Sequence, residues 1–268
     1  MIVFPNAKVN IGLHVTSRRP DGLHNIETIF VPIPLCDAIE ATPAKSFSFR
    51  QSGISLDCAP ENNIVIKALR QIFPYSLPEI AINLLKSIPF GAGLGGGSSD
   101  AAFMLKMINE FHELGLSPDF LEEKAARIGA DCPFFIRNRP AYASGIGDKL
   151  EPLALNLAGY YITIVKPPFG ISTAEAYSGI RPAPSACNLR DVAQIPISEW
   201  RNILRNDFEP SIVARYPQIA LIKQKLYDNG SLYASMSGSG SAVYGIFVNE
   251  INLQEIFPDC QVFSLEMK

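Results

Sequence analysis

One stretch organises this chain: Pro89-Phe90-Gly91-Ala92-Gly93-Leu94-Gly95-Gly96-Gly97-Ser98-Ser99-Asp100. An apolar segment, residues 80–88, precedes it, and residues 98–114 carry apolar side chains at helical spacing. Glycines let several backbone N–H groups converge on one anion without a Cβ in the way. The first turn of a following helix adds free N–H groups and the positive end of the helix dipole. The stretch therefore predicts a phosphate-binding loop between a strand and a helix.

Other glycine-rich sites compete with this interpretation. Gly91, Gly93 and Gly96 satisfy G-x-G-x-x-G, but that pattern alone is a weak sign of dinucleotide binding. The Rossmann form needs a second strand that ends in an acidic residue about 20 residues further on. Here residues 114–120 join two predicted helices, which disfavours a nicotinamide-dependent oxidoreductase. A Walker A loop needs a lysine after the glycines, and a protein kinase needs HRD and DFG segments; the sequence has none of these. A flexible linker is disfavoured by the strand and helix on either side.

Composition bounds the class of protein. The chain has 268 residues, 47% hydrophobic and 18% charged, which suits one large or two modest domains with a substantial core. A net charge of -3 argues weakly against broad nucleic-acid binding, which needs a basic face. The five cysteines are scattered and odd in number, and the sequence shows neither a membrane-length apolar run nor a signal-peptide pattern. We expect a cytoplasmic globular protein without nucleic-acid or membrane partners.

The remaining pattern predicts an α+β protein. Residues 8–15 alternate, with Val9, Ile11, Leu13 and Val15 on a buried face and Lys8, Asn10 and His14 on the other. Further strands are predicted at 25–33, 38–41, 46–51, 80–88, 160–165, 242–248 and 261–265, and a hairpin or loop at 141–153. Helices are predicted at 63–73, 98–114 (capped by Ser98 or Ser99), 117–129 (capped by Ser117, with Pro118 at its first position), 198–206 and 217–228. We place a domain boundary at residue 153, giving domains 1–153 and 154–268.

Several motifs together resemble those of the GHMP kinases, a family of ATP-dependent small-molecule kinases. They are the glycine-serine stretch, Ala7-Lys8-Val9-Asn10-Ile11, Arg19-Pro20-Asp21-Gly22-Leu23-His24, Gly129-Ala130-Asp131-Cys132-Pro133-Phe134-Phe135 and Ser237-Gly238-Ser239-Gly240. The resemblance implies an N-terminal domain like ribosomal protein S5 domain 2, a ferredoxin-like C-terminal domain, and ATP and substrate in the cleft between them. It also implies transfer of the γ-phosphoryl group of ATP, with Mg²⁺, to the 2-hydroxyl of a cytidine diphosphate-linked methylerythritol.

The resemblance assigns the chemistry to Asp131 and Lys8. Asp131 would be the base that relieves the acceptor hydroxyl of its proton. Lys8 would hold that carboxylate ionised and offset developing charge, and Asn10 would bind the substrate. From the residues alone, an N-cap for the element that starts at Cys132 or Pro133 explains Asp131 equally well. An exposed edge-strand lysine is the usual explanation of Lys8. His14, on the same strand face, is interpreted as structural.

The resemblance also assigns binding residues. ATP would contact Pro89 to Ser99, with Asn63 near the adenine and Ser239 near a phosphate; an N-cap and a tight turn are the plain alternatives for these two residues. His24 would contact the cytosine, and Thr173 and Tyr177, one helical turn apart, would complete that site, unless Tyr177 is a core residue. Leu23 stands where many members have a tyrosine that stacks on the base, so this part of the site departs from the family. No Mg²⁺ ligand stands out.

Three alternatives remain open from the sequence. Another GHMP kinase, acting on homoserine, mevalonate or a sugar, is disfavoured by the His24 segment and the Thr173/Tyr177 pair. A nicotinamide-dependent oxidoreductase keeps its G-x-G-x-x-G match. A nucleotide-binding protein without activity is disfavoured by the presence of both Lys8 and Asp131.

Overall fold

The structure is a computed structural model that describes residues 1–55, 62–185 and 187–268. Its strands are β1 (Ile2–Val3), β2 (Asn6–Arg18), β3 (His24–Cys36), β4 (Ala38–Pro43), β5 (Ser48–Gly53), β6 (Ile80–Lys86), β7 (Ala141–Ser144), β8 (Lys149–Pro152), β9 (Tyr161–Lys166), β10 (Tyr233–Met236), β11 (Val243–Phe247) and β12 (Gln261–Glu266). Its α-helices are α1 (Ile64–Ile72), α2 (Gly96–Phe111), α3 (Pro118–Ala126), α4 (Cys132–Arg137), α5 (Thr173–Ser178), α6 (Trp200–Ile203), α7 (Glu209–Arg215) and α8 (Pro217–Asp228). The α+β class is confirmed.

The chain divides by packing into two compact units, each discontinuous in sequence. Unit 1 comprises Met1–Ala7, Leu35–Phe90 and Gly95–Arg139, and unit 2 comprises Lys8–Pro34, Gly91–Leu94 and Pro140–Lys268. The phosphate loop therefore contributes residues to both units. The domain boundary at residue 153 stays a prediction.

Unit 1 holds a four-stranded sheet in the order β1-β4-β6-β5. Strands β5 and β6 run parallel, whereas β4 is antiparallel to β1 and to β6. Helix α2 packs on α1, α3 and α4. Its apolar stripe at 101, 102, 104, 105 and 108 is fully buried.

The start of α2 differs from the prediction. The helix begins at Gly96 with Gly95 at the N-cap, φ 70°, and no side chain among the described residues caps it, so the prediction that Ser98 or Ser99 is the cap is wrong. The physical reason is that a left-handed residue ends the loop here, and glycine adopts that conformation without a Cβ penalty. Helix α3 begins as predicted, since Ser117 accepts a hydrogen bond from Phe120 N and Pro118 follows.

Unit 2 holds two four-stranded sheets, β2-β3-β7-β8 and β10-β11-β9-β12. The predicted hairpin at 141–153 is confirmed as the antiparallel pair β7 and β8. In the second sheet β9 is antiparallel to both β11 and β12. Helices α7 and α8 cover it with an apolar cluster that includes Ile212, Ile219, Ile222 and Leu226.

Strand β2 corrects two expectations. Residues 7–15 are buried on both faces, so the prediction of one buried face is wrong. Lys8 is 3% exposed, Asn10 2% and His14 1%, which excludes an exposed edge-strand lysine. Buried polar groups need hydrogen-bond partners, and these side chains find them: His14 Nδ1, for example, lies 3.4 Å from Asp207 Oδ1. This contact agrees with a structural role for His14.

Among the described residues, no helix combines the length and apolar character that crossing a bilayer requires.

Candidate active site

The first half of the phosphate loop lies against the Ser237-Gly238-Ser239-Gly240 motif inside unit 2. Ser237 Oγ donates to Gly93 O at 2.9 Å, and Ala242 N donates to Ala92 O at 3.1 Å. A Cβ at Gly93 would lie 1.9 Å from Ser237 O, so no other residue fits there without a shift of the backbone. The two glycine-serine segments, 144 residues apart, therefore hold one another in place.

Sequence reasoning missed Ser237. It singled out Ser239, which is half-buried, whereas Ser237 is fully buried and contacts both the loop and β2. The motif itself was the available signal, since both serines belong to it. No local pattern shows that the Ser237 hydroxyl points towards Gly93, and a contact of Ser239 with a phosphate stays a prediction.

Lys8 and Asn10 form a direct pair in unit 2. Lys8 Nζ donates to Asn10 Oδ1 at 2.6 Å and to Gly93 O at 3.2 Å, and it lies 4.9 Å from the Phe30 ring centroid. Asn10 Nδ2 donates to Thr28 Oγ1 at 3.0 Å. The prediction that the two side chains share a strand face is confirmed, and the lysine also binds the phosphate loop. That Lys8 offsets charge during phosphoryl transfer stays a prediction.

Asp131 occupies the N-cap position of α4 in unit 1, but its side chain makes no capping hydrogen bond. The predicted N-cap position is therefore confirmed, whereas a capping hydrogen bond from this carboxylate is not formed. The next residue, Cys132, is buried, and burial raises the pKa of its thiol to about 11, which a hydrogen bond with Ser98 partly opposes. This thiol is protonated at neutral pH, in keeping with its interpretation as a small buried residue. Through it, the Asp131 segment is joined to the first turn of α2.

The first turn of α2 carries donors that could serve an anion. Gly95 provides no side-chain cap, so the first N–H groups of the helix have no capping side chain within the described part of the chain. Ser99 Oγ is buried and has no hydrogen-bond partner among the described residues. Phe90, at the loop entry, is 76% exposed. These features fit an anionic group such as a nucleotide phosphate.

Asn63 is the N-cap of α1, which confirms the capping role given as the alternative to a contact with adenine. Its Oδ1 accepts from Val65 N at 2.9 Å and its Nδ2 donates to Gln51 Oε1 at 3.1 Å. The side chain is 3% exposed. Both polar atoms are thus used within unit 1, and a contact of Asn63 with adenine stays a prediction.

His24 and Tyr177 come together in unit 2. Their ring centroids lie 4.8 Å apart and their planes make an angle of 23°. Tyr177 also packs edge-on against Phe208, so it is both a core residue and one side of a stacked pair. Leu23 beside them is 50% exposed. Thr173 opens α5, one turn before Tyr177.

The predicted site residues thus fall into two sets. Unit 2 contains Lys8, Asn10, His24, Gly91–Leu94, Thr173, Tyr177 and Ser239, and unit 1 contains Asn63, Pro89, Phe90, Gly95, Gly96, Gly97, Ser98, Ser99 and Asp131. Of the pairs that sequence reasoning placed together within one unit, the structure joins Lys8 with Asn10 and His24 with Tyr177.

Comparison with known proteins agrees with these motifs. Residues 63–139 match the model of the GHMP kinases N terminal domain, and residues 189–258 match that of the GHMP kinases C terminal domain. The 4-diphosphocytidyl-2-C-methyl-D-erythritol kinase of Parabacteroides distasonis is 53% identical over 263 residues, covering 97% of each chain, and that of Bacteroides fragilis is 49% identical over the full length of both. A crystal structure of 4-(cytidine 5'-diphospho)-2C-methyl-D-erythritol kinase superposes with a TM-score of 0.81 at 29% identity, covering 100% of both chains. The chain therefore belongs to the GHMP kinases and has their two-domain fold.

Proposed function

We propose that this protein is the kinase that phosphorylates the 2-hydroxyl of 4-diphosphocytidyl-2-C-methyl-D-erythritol with ATP, a step of non-mevalonate isoprenoid precursor synthesis. The observation that carries the proposal is the 53% identity, over 97% of both chains, to a relative that bears this name. The His24–Tyr177 pair supports the choice of a cytidine-containing acceptor, because aromatic rings are the usual partners of a nucleobase face.

The phosphate loop supplies the binding and electrostatic part of the reaction. ATP provides the γ-phosphoryl group, whose transfer depends mainly on positioning and on neutralising charge. The free N–H groups at the start of α2 and the Lys8 ammonium beside Gly93 O are the groups of this chain that would offset charge on the phosphates. Rigid contacts to Ser237 and Ala242 keep the loop preorganised.

Asp131 is the proposed base, because the family resemblance gives it this role and it directly precedes Cys132, whose thiol is hydrogen-bonded to Ser98 of α2. It would accept the proton of the acceptor hydroxyl as phosphoryl transfer proceeds. Lys8 would offset the negative charge that develops during transfer, and Asn10, which it holds, would bind the acceptor.

Mg²⁺ is proposed as the companion of ATP. The described residues contain no group of three or more histidine, cysteine, aspartate or glutamate side chains able to hold a metal. Mg²⁺ usually keeps several waters and binds through substrate phosphates with one or two protein ligands, so the donors present are compatible with an ion that enters bound to ATP. The four described cysteines are free, which supports the expected cytoplasmic location.

A substrate panel tests the proposal. The purified chain is incubated with ATP and Mg²⁺ and, separately, with 4-diphosphocytidyl-2-C-methyl-D-erythritol, homoserine, mevalonate or galactose, and phosphorylated product is followed by ³¹P NMR. We expect turnover with the cytidine compound alone. Turnover with another acceptor would assign a different GHMP kinase activity. Binding of NADH without binding of ATP would revive the oxidoreductase, and ATP binding without any turnover would indicate an inactive nucleotide-binding protein.

A further inference from the structure

Unit 1 buries a lysine between two aspartates that the assigned chemistry does not use. Lys86 ends β6, Asp37 lies between β3 and β4, and Asp100 is in the second turn of α2. Lys86 is 4% exposed, and each aspartate is 1% exposed. Lys86 Nζ donates to Asp37 Oδ2 and, at 2.7 Å, to Asp100 Oδ2. None of the three side chains is accessible to a ligand, so any influence on the reaction must act through other groups.

The three residues hold both ends of the phosphate loop. Asp37 Oδ1 accepts from Ser87 N at 2.6 Å and from Ile88 N at 2.8 Å, the two residues before Pro89. Asp100 belongs to the helix that begins where the loop ends. Lys86 connects the two carboxylates, so one buried ammonium ties the entry of the loop to its exit.

Lys86 also lies close to the first residue of α2. A Cβ placed on Gly96 would lie 2.8 Å from Ile88 Cγ2 and 3.5 Å from Lys86 Nζ. The lysine therefore lies directly beneath the first residue of α2, and the glycine at 96 allows the helix to start at this distance. A change in the network would move the amides that begin the helix.

The two aspartates of the network differ in the number of hydrogen bonds that they accept. Asp37 accepts three hydrogen bonds, one of them from Lys86 Nζ. Asp100 accepts one, and its Oδ1 has no partner among the described residues. Burial raises the pKa of Asp100 to about 8, although Lys86 opposes the shift, so near neutrality this carboxyl keeps its proton. Buried ionic groups contribute little net stability compared with apolar replacements, and where they are used they can instead select one conformation.

We propose that Asp37, Lys86 and Asp100 form a positioning network that sets the conformation of the phosphate loop and thereby the affinity for nucleotide phosphates. The inference rests on the proposed function only in that the loop binds ATP. Backbone donors act on a phosphate within a narrow range of distance, and displacement of the loop ends would lengthen several of these hydrogen bonds at once.

The test measures nucleotide binding directly, by calorimetric titration with a non-hydrolysable ATP analogue and Mg²⁺ in the absence of acceptor. We expect Lys86→Met to weaken binding by about tenfold or more, since a small misplacement of binding groups is costly. The matched control is Lys106→Met, which removes another lysine of the same unit, on α2, that contacts Phe103 instead. It should bind like the wild type.

A second pair of variants keeps the test decisive if Lys86→Met does not fold. Asp100→Asn retains an acceptor for Lys86 and resembles the protonated carboxyl, so it should bind the analogue nearly as the wild type does. Asp100→Leu removes the contact and should bind weakly while keeping its circular dichroism spectrum. A folded variant that lowers the melting temperature but leaves analogue affinity unchanged would overturn the proposal. If the wild type binds no analogue, the proposed kinase function fails; if it binds but no acceptor is phosphorylated, the network is still tested.

Discussion

The ring of His24 stacks on the ring of Tyr177 with a centroid distance of 4.8 Å, across 153 residues of sequence. His24 directly follows the Arg19–Leu23 turn, and Tyr177 lies in the short helix α5. Leu23, next to His24, is half exposed. An aromatic surface is thus already assembled where the family resemblance places the cytosine, although the tyrosine that many members have next to it is absent.

We expect Tyr177→Leu to raise the KM for the cytidine substrate. Loss of stacking on a base costs about 1–3 kcal/mol, which corresponds to roughly 5- to 150-fold. The KM for ATP should stay unchanged, because Tyr177 would serve the acceptor alone. Steady-state kinetics with each substrate varied in turn measures the effect. Tyr75→Leu, at a fully exposed position, is the matched control. The opposite change, Leu23→Tyr, should lower the KM for the cytidine substrate. Equal rises in both KM values would contradict this role.

We expect Asp131→Asn to lower kcat by about two to four orders of magnitude, the usual contribution of a general base. Nucleotide affinity should persist, since the loop and α2 are unchanged. Single-turnover kinetics together with analogue titration separate the two quantities. Asp119→Asn, an exposed acidic residue of the same unit that pairs with Arg137, controls for the change of charge. Full activity of Asp131→Asn would exclude Asp131 as the base.

We expect Gly93→Ala to destabilise the protein strongly. Its φ is 74°, and the added Cβ would lie 1.9 Å from Ser237 O. The matched control is Gly159→Ala in the same unit, where φ is 85° and nothing lies within 4 Å of the added Cβ. The control should lose about 1–2 kcal/mol from the left-handed backbone alone. Denaturant unfolding of both variants isolates the clash, and equal losses would refute it.

We expect Asp100 to make stability fall as pH rises. Its pKa is about 8 in the folded protein against an ordinary value of 3.8, so between these values the folded state keeps a proton that the unfolded state releases. The contribution of the protonated Asp100 carboxyl to the free energy of unfolding is fully present below about pH 4 and is lost progressively up to about pH 8. Lys86 and Asp37 are the charged groups that contact it.

The measurement compares wild type and Asp100→Asn. From pH 5 to pH 8, the free energy of unfolding of the wild type should fall relative to that of Asp100→Asn, by at most about 1.4 kcal/mol per pH unit. Asp119→Asn, exposed on α3, should show no such trend. A constant difference across this range would mean that Asp100 is ionised throughout.

Local signals predicted much of the fold because they act over a few residues. Ser117 followed by Pro118 marks the start of α3, and glycines at 145 and 147 accompany the β7–β8 hairpin. Prediction failed where the backbone conformation of the loop decides the outcome. Helix α2 begins at Gly96, and its N-cap is the left-handed Gly95 and not Ser98 or Ser99.

The amino-acid sequence by itself determined the α+β class and the kinase family and predicted the phosphate-binding loop, because glycine spacing, helix caps and motifs are properties of neighbouring residues. Only the tertiary structure decided that Lys8 is buried against Gly93, that Ser237 donates to Gly93 O, and that Lys86 joins Asp37 to Asp100. These contacts link residues between 14 and 144 positions apart. The physical reason is that a buried charge or hydroxyl needs a hydrogen-bond partner, which the folded chain can supply from any position. The periodicity of the sequence does not identify that partner.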